Sequence, residues 1–171
     1  MIMISAEYAA GFFDGEGCVT MMTVGKNREM KLRVQIANTE EMILRALQAS
    51  FGGAVNMRSD KRHPNRKACG QLVFCGGDAE RFLRSIQPHV RVKKGQVVLA
   101  LEFLEFCNTP KSERCELIPS KARIPIAGVP GKFMTPKTWI RKPETLGREV
   151  EFKSKMNAMN LKGRHEKAGN A

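Results

Sequence analysis

Nine consecutive residues near the start of the chain, Ala9-Ala10-Gly11-Phe12-Phe13-Asp14-Gly15-Glu16-Gly17, set three glycines and two acids at the end of an otherwise helical run. Ser5 is placed to cap that run and Gly17 to stop it, which predicts a helix of two to three turns over Ser5 to Asp14. Gly11 and Gly15 lie four residues apart and so share one helical face, with Ala10 near them. Small residues at that spacing let a second helix backbone approach closely, as in membrane GxxxG pairs although the solvent differs. The stretch occurs once, so the second helix would come from a second copy of the chain, related by a twofold axis. Asp14 and Glu16 fall where the helix macrodipole disfavours negative charge. A bound cation explains two acids in that position better than helix stability does.

The residues that follow repeat one order of elements twice. Cys18 to Val24 reads as an extended segment and Gly25 to Arg28 as a turn. Met30 to Ala37 alternates, with Leu32, Val34 and Ile36 on one side and Lys31, Arg33 and Gln35 on the other. Asn38 or Thr39 caps a helix that runs to Phe51, where Gly52-Gly53 ends it. A strand at Ala54 to Arg58, a long turn through Ser59 to Ala68, a strand at Cys69 to Cys75, and helices at Gly77 to Ile86 and Val92 to Cys107 complete the second half. Hairpins of antiparallel strands with helices on one face make an α+β domain over residues 1–107, with one sheet face open.

Beyond Asn108 the pattern changes. Prolines at 110, 119, 125, 130, 136 and 143 forbid a long regular element before Glu144. Residues 108–143 read as an irregular wrap anchored by Phe133 and Trp139. Thr145 to Lys162 reads as an amphipathic helix, with Leu146, Val150, Phe152, Met156, Met159 and Leu161 partly on one face. Residues 108–171 therefore form an extension to the core.

Charge narrows the partners. The 171 residues carry 29 Lys+Arg against 17 Asp+Glu, a formal net charge of +12, and the extension is proportionally its more basic part. Each cation that neutralises a phosphate releases a counterion, so this excess favours a polyanionic partner. The turn Arg58 to Lys67 concentrates five basic residues against one acid, at a hairpin tip beside a basic strand face. No apolar run reaches the ~20 residues of a membrane helix, and Met1 to Ser5 lacks the features of a leader peptide, so an intracellular protein without a membrane partner is expected. Five cysteines form no CxxC pair and three histidines stand apart, which disfavours structural zinc and a disulfide framework.

The nonamer resembles the signature of the LAGLIDADG homing endonucleases, matching its small-small-Gly, two apolar, acid, small, acid, Gly pattern in register. With the repeated element order, the resemblance covers nearly all of residues 5–107. It implies the αββαββα LAGLIDADG endonuclease-like fold, with a curved antiparallel four-stranded sheet that binds DNA, and, with a single motif, the homodimeric branch. Ala10, Gly11, Asp14 and Gly15 would then lie at the dimer interface. In that family the last acid of the motif binds the divalent metal, so the resemblance makes Glu16 the ligand for Mg²⁺ (or another divalent cation such as Mn²⁺), assisted by the carbonyl of Gly15. Two Glu16 side chains meeting at a twofold axis would repel without a cation between them. The resemblance also places a polar residue at the end of the second strand and a Lys before the last core helix, here Asn38 and Lys93, as catalytic partners of Glu16. Relatives often carry Gln where Asn38 stands, and Glu40, Glu41 and Met42 supply none of the basic residues that some relatives have in the second helix.

A twisted ribbon fits the major groove, with alternate residues reaching base edges. Thr20, Met22, Lys31, Arg33 and Gln35 from the first hairpin and Asn56, Arg58, Gln71 and Val73 from the second are assigned to that face, Arg33 for guanine and Gln35 for adenine. Lys26, Arg28, Lys61, Arg62, Arg66 and Lys67 at the tips suit phosphates or outer bases. The resemblance therefore implies a Mg²⁺-dependent, site-specific enzyme that hydrolyses both strands of a long pseudopalindromic DNA site. It also implies cuts across the minor groove with short 3′ overhangs. Such enzymes are usually encoded within introns or inteins, and the chain lacks the Cys or Ser start and His-Asn end of an intein. The alternatives are an RNA maturase, which loss of the metal acid would mark whereas Glu16 is present, or a catalytically silent DNA-binding protein of the same fold.

Overall fold

The computed structural model describes residues 3–25, 29–58, 67–119, 124–125, 133–134 and 137–168. The element order is α1 (Ala6–Glu16), β1 (Gly17–Val24), β2 (Glu29–Asn38), α2 (Glu41–Phe51), β3 (Ala54–Arg58), β4 (Cys69–Cys75), α3 (Gly77–Ile86) and α4 (Lys94–Asn108). A short α5 (Lys111–Arg114) then leads to β5 (Cys115–Pro119), β6 (Ile124–Pro125), β7 (Phe133–Met134), β8 (Lys137–Arg141) and α6 (Pro143–Ala168). Both expected hairpins and all four core helices are present, and no helix among the described residues is long and apolar enough to cross a membrane.

Ser5 caps α1 as expected, its side chain accepting from the Tyr8 amide. The helix runs two residues further than its spacing predicted, to Glu16, and Gly17 turns directly into β1. A side chain on Gly17 would collide with the ring of the buried Phe13. That glycine is required by close packing, since its φ of −77° is open to any residue. At the end of α2 the reason is different: Gly52 and Gly53 hold φ of 84° and 86°, where a β-carbon is strained.

The four core strands form one antiparallel sheet in the order β1-β2-β4-β3. Alternation sorts its side chains. Val19, Met21, Leu32, Val34, Ile36, Leu72 and Phe74 point into the core beneath α1, α3 and α4, where Phe82 stacks on Phe74 at 4.3 Å and meets Phe13 edge-on at 5.8 Å. Among the described residues no helix lies on the opposite face. β1 is an edge strand, and α6 lies along it: Asn160 Nδ2 donates to the Val19 carbonyl at 3.0 Å, while Met156 is fully buried and Phe152 packs on Phe103 and Phe106. A covered edge cannot recruit a foreign strand.

The extension departs from its sequence reading. Residues 115–119 and 137–141 pair as an antiparallel ribbon, β5 with β8, and the pair β6 with β7 nests inside it. Prolines at the ends of short two-stranded pieces interrupt regularity without preventing pairing. Trp139 is no apolar anchor; it stands 39% exposed on the ribbon with Lys111 Nζ 5.6 Å from its ring centre. The side chain of Phe133 lies outside the described residues. The buried face of α6 also differs: Leu146, Val150 and Leu161 are exposed, whereas Thr145 and Glu149 are buried. The hydroxyl of Thr145 donates to the Arg114 carbonyl at 2.7 Å, and Glu149 meets Arg141 at 2.6 Å, so polar partners at the ribbon base override the apolar pattern.

Candidate nucleic-acid interface and metal centre

The open sheet face collects the residues assigned to it. The register aligns Thr20 with Arg33 and Met22 with Lys31 across β1 and β2, Gln35 with Val73 across β2 and β4, and Asn56 with Gln71 across β3 and β4. Arg58 stands at the end of β3, exposed and opposite Cys69. All nine groove-face assignments therefore share one surface. The same parity adds Cys18, Ala37, Ala54, Cys69 and Cys75, which charge-guided reading passed over although alternation alone would have found them. Arg33 lies across this surface, its Nη2 donating to Gln71 Oε1 at 3.4 Å. Lys67 is exposed and 3.5 Å from Glu40. Lys26, Arg28, Lys61, Arg62 and Arg66 lie outside the described residues.

The candidate metal end of α1 has a different construction. Glu16 and Gly15 are exposed at the last turn, while Asp14 is turned inward and engaged. Asp14 accepts from the backbone amides of Arg91 (2.8 Å), Val92 (3.2 Å) and Lys93 (2.9 Å), immediately before α4. In return Lys93 Nζ donates to the carbonyl of Phe13 at 3.1 Å and to that of Asp14. Asp14 therefore has the structural role expected of it at a helix end, but the helix it caps is α4, whose amides lie 77 to 79 residues away. Asn38 ends β2, two residues past the partner of Gly17, and its Oδ1 accepts from the Glu40 amide at 2.8 Å. That bond makes Asn38 an Asx turn ahead of α2; the cap position itself belongs to Glu40.

The helix face assigned to dimer contact needs correcting at two residues, since Asp14 is engaged by the amides before α4 and Ala10 is buried. Ala10 is fully buried against its own core with Ala9 and Phe13, because it shares their side of the helix. The outward stripe is Tyr8, Gly11, half-buried Phe12 and Gly15, and a β-carbon on either glycine would meet nothing within 4 Å.

Among the described residues no three His, Cys, Asp or Glu side chains cluster as a metal site. The Glu16 carboxylate and the Gly15 carbonyl are hard oxygen donors at the negative end of a helix, of the kind that could hold Mg²⁺ or Ca²⁺ and would make up only part of a coordination shell.

This architecture is that of the LAGLIDADG homing endonucleases. The homing endonuclease I-CvuI, solved with its target in the presence of 2 mM Ca, is similar at 16% identity and a TM-score of 0.62, over 90% of this chain and 80% of that one. The archaeal intron-encoded homing endonuclease I-Vdi141I, complexed with DNA, is similar at 13% identity and a TM-score of 0.59, over 90% and 82%. The LAGLIDADG meganuclease I-AabMI, bound to uncleaved DNA, is similar at 14% identity and a TM-score of 0.57, over 88% of this chain but 44% of that one. No family sequence model matches the chain, and no curated protein matches it by sequence.

Proposed function

We propose that the protein is a site-specific double-strand DNA endonuclease that works as a homodimer with Mg²⁺ or a similar divalent cation. The observation that carries this reading is the exposed Glu16 at the end of α1, on a helix whose outward stripe is bare at Gly11 and Gly15. One chain offers one such acid. A twofold axis through the bare stripe would bring two Glu16 carboxylates together and complete a site that a single chain leaves partial. The coverage of I-AabMI supports this, since two copies of the present chain would span most of that longer one.

Glu16 and the Gly15 carbonyl would hold the cation, which when bound supplies charge stabilisation for the attacking and leaving oxygens. Asn38, at the end of β2, would orient water through its amide. Lys93 fixes the helix end that carries Glu16 and brings a positive charge to it. The open sheet face would read the major groove with Arg33, Gln35, Asn56 and Gln71, while the basic tips contact phosphate.

The test is incubation of the protein with a randomised duplex library, with and without Mg²⁺, followed by sequencing of cut ends. A long, roughly twofold site cut with a stagger only when the metal is present is expected. Retention of DNA or RNA without any cut would contradict the nuclease and favour a regulator or a maturase.

A further inference from the structure

A groove of about 1250 Å³ lies between the β1–β2 hairpin and the β5–β8 ribbon. Its core wall includes Met22, Lys31 and Arg33 from the open sheet face; its other wall includes Lys111, Lys137 and Trp139. The groove is therefore continuous with the proposed DNA surface. We propose that the β5–β8 ribbon is a second DNA contact, and that this groove grips the sugar-phosphate backbone in the outer part of the same duplex. The proposal rests on the DNA-binding reading above and extends it to residues which that reading leaves unused.

The ribbon is built to project. Lys137, Thr138, Trp139 and Ile140 are four consecutive exposed residues, so neither face of β8 is covered by the core. Its base is held firmly. Cys115 is buried, the Lys142 amide donates to the Arg114 carbonyl at 3.0 Å, and the pair of half-buried Arg141 with buried Glu149 closes the end.

Charge decides the ligand. The acids lining the groove each face a cation already: Glu29 with Lys31 at 4.0 Å, Glu80 with Arg84 at 2.9 Å, and Glu149 with Arg141 at 2.6 Å. Lys111 and Lys137 form no ion pair among the described residues, which leaves the ribbon side a net cation. Lys111 over the exposed Trp139 ring sets an ammonium beside a flat apolar surface. A nucleotide backbone presents the complementary pair, an anionic phosphate next to an apolar deoxyribose face.

Position fixes where on the duplex the contact falls. The groove lies at the β1–β2 turn, and Glu16 precedes the opposite end of β1, eight residues away. At about 3.3 Å per residue that separation is roughly 25 Å, or about seven base pairs along B-DNA.

Binding of the full chain should be followed by fluorescence anisotropy in a salt series, using the selected target both as a duplex extending about 12 base pairs from its centre and trimmed to about 5, short of the ribbon contact. The doubly substituted Lys111→Ala/Lys137→Ala protein is expected to bind the long duplex about tenfold more weakly, with a salt slope smaller by about 2, and to match wild type on the trimmed one. Trp139→Ala should weaken the long duplex selectively without changing the slope. Both lysines are exposed, so an unchanged melting temperature verifies the fold, and Arg33→Ala should weaken binding at both lengths. Equal affinity of wild type and the double variant for the long duplex, or equal loss at both lengths, would overturn the ribbon contact alone. Failure of wild type to bind any duplex would overturn the DNA reading and the ribbon contact together.

Discussion

Asp14 and Lys93 cap each other's helices. The Asp14 carboxylate closes the amides that lead into α4, and the Lys93 ammonium closes carbonyls at the end of α1. The acid-bearing turn of the nonamer is thereby fixed to the last core helix, and Glu16 is presented from a rigid end.

This clasp predicts coupled losses. Asp14→Asn should destabilise the fold by about 1–2 kcal/mol, because charge-assisted bonds to three backbone amides become neutral ones. Lys93→Met should cost less. Chemical denaturation of both single variants and the double should show the double costing less than the sum; strict additivity would contradict a shared clasp.

The two kinds of motif glycine should separate cleanly. Gly17→Ala is expected to destabilise the monomer, since the added methyl meets the Phe13 ring. Gly11→Val should leave the fold intact, because the space above it is open, yet hold two helices apart. Light scattering should then report a monomer of normal melting temperature, and a dimeric mass for Gly11→Val would count against helix pairing.

Why the core was legible and the extension was not follows from the range of the forces involved. Leu32, Val34 and Ile36 announce a one-sided strand by period alone, and the register then carried all nine groove-face residues to one surface. Ala10 was misplaced because composition groups it with Gly11, whereas a helical step of one residue turns it toward Phe13 and the core. The caps supplied by Asp14 and the seat of Glu149 depend on partners distant in sequence or on a polar pairing in a buried place. Neither leaves a local period to read.

Arg33 and Gln71 should act as one reading unit. Their hydrogen bond across the sheet face means that Gln71 orients the guanidinium before DNA arrives. Arg33→Ala should relax preference at one base pair by about 1–3 kcal/mol, and Gln71→Ala should relax the same position. Selection on a library randomised around that pair checks this, and changes at two unrelated positions would contradict the coupling.

Glu149 gives the extension a pH signature. Burial raises its pKa above the ordinary 4.5, partly opposed by Arg141. The folded state then holds a proton that the unfolded state has released, so this group's contribution to stability is fully present below 4.5 and is lost as pH rises through the raised value. The stability difference between wild type and Glu149→Gln should therefore shift against wild type as pH increases from 4 upward, measured by thermal melts. A difference that grows in favour of wild type over that range would reverse the assignment.

The central claim rests on Glu16, and the most direct measurement is cleavage of the selected duplex by wild type and by Glu16→Gln, with binding recorded in parallel. The account predicts Mg²⁺-dependent cutting by wild type and loss of cutting by Glu16→Gln with DNA affinity retained. Cutting by Glu16→Gln at the wild-type rate would contradict it.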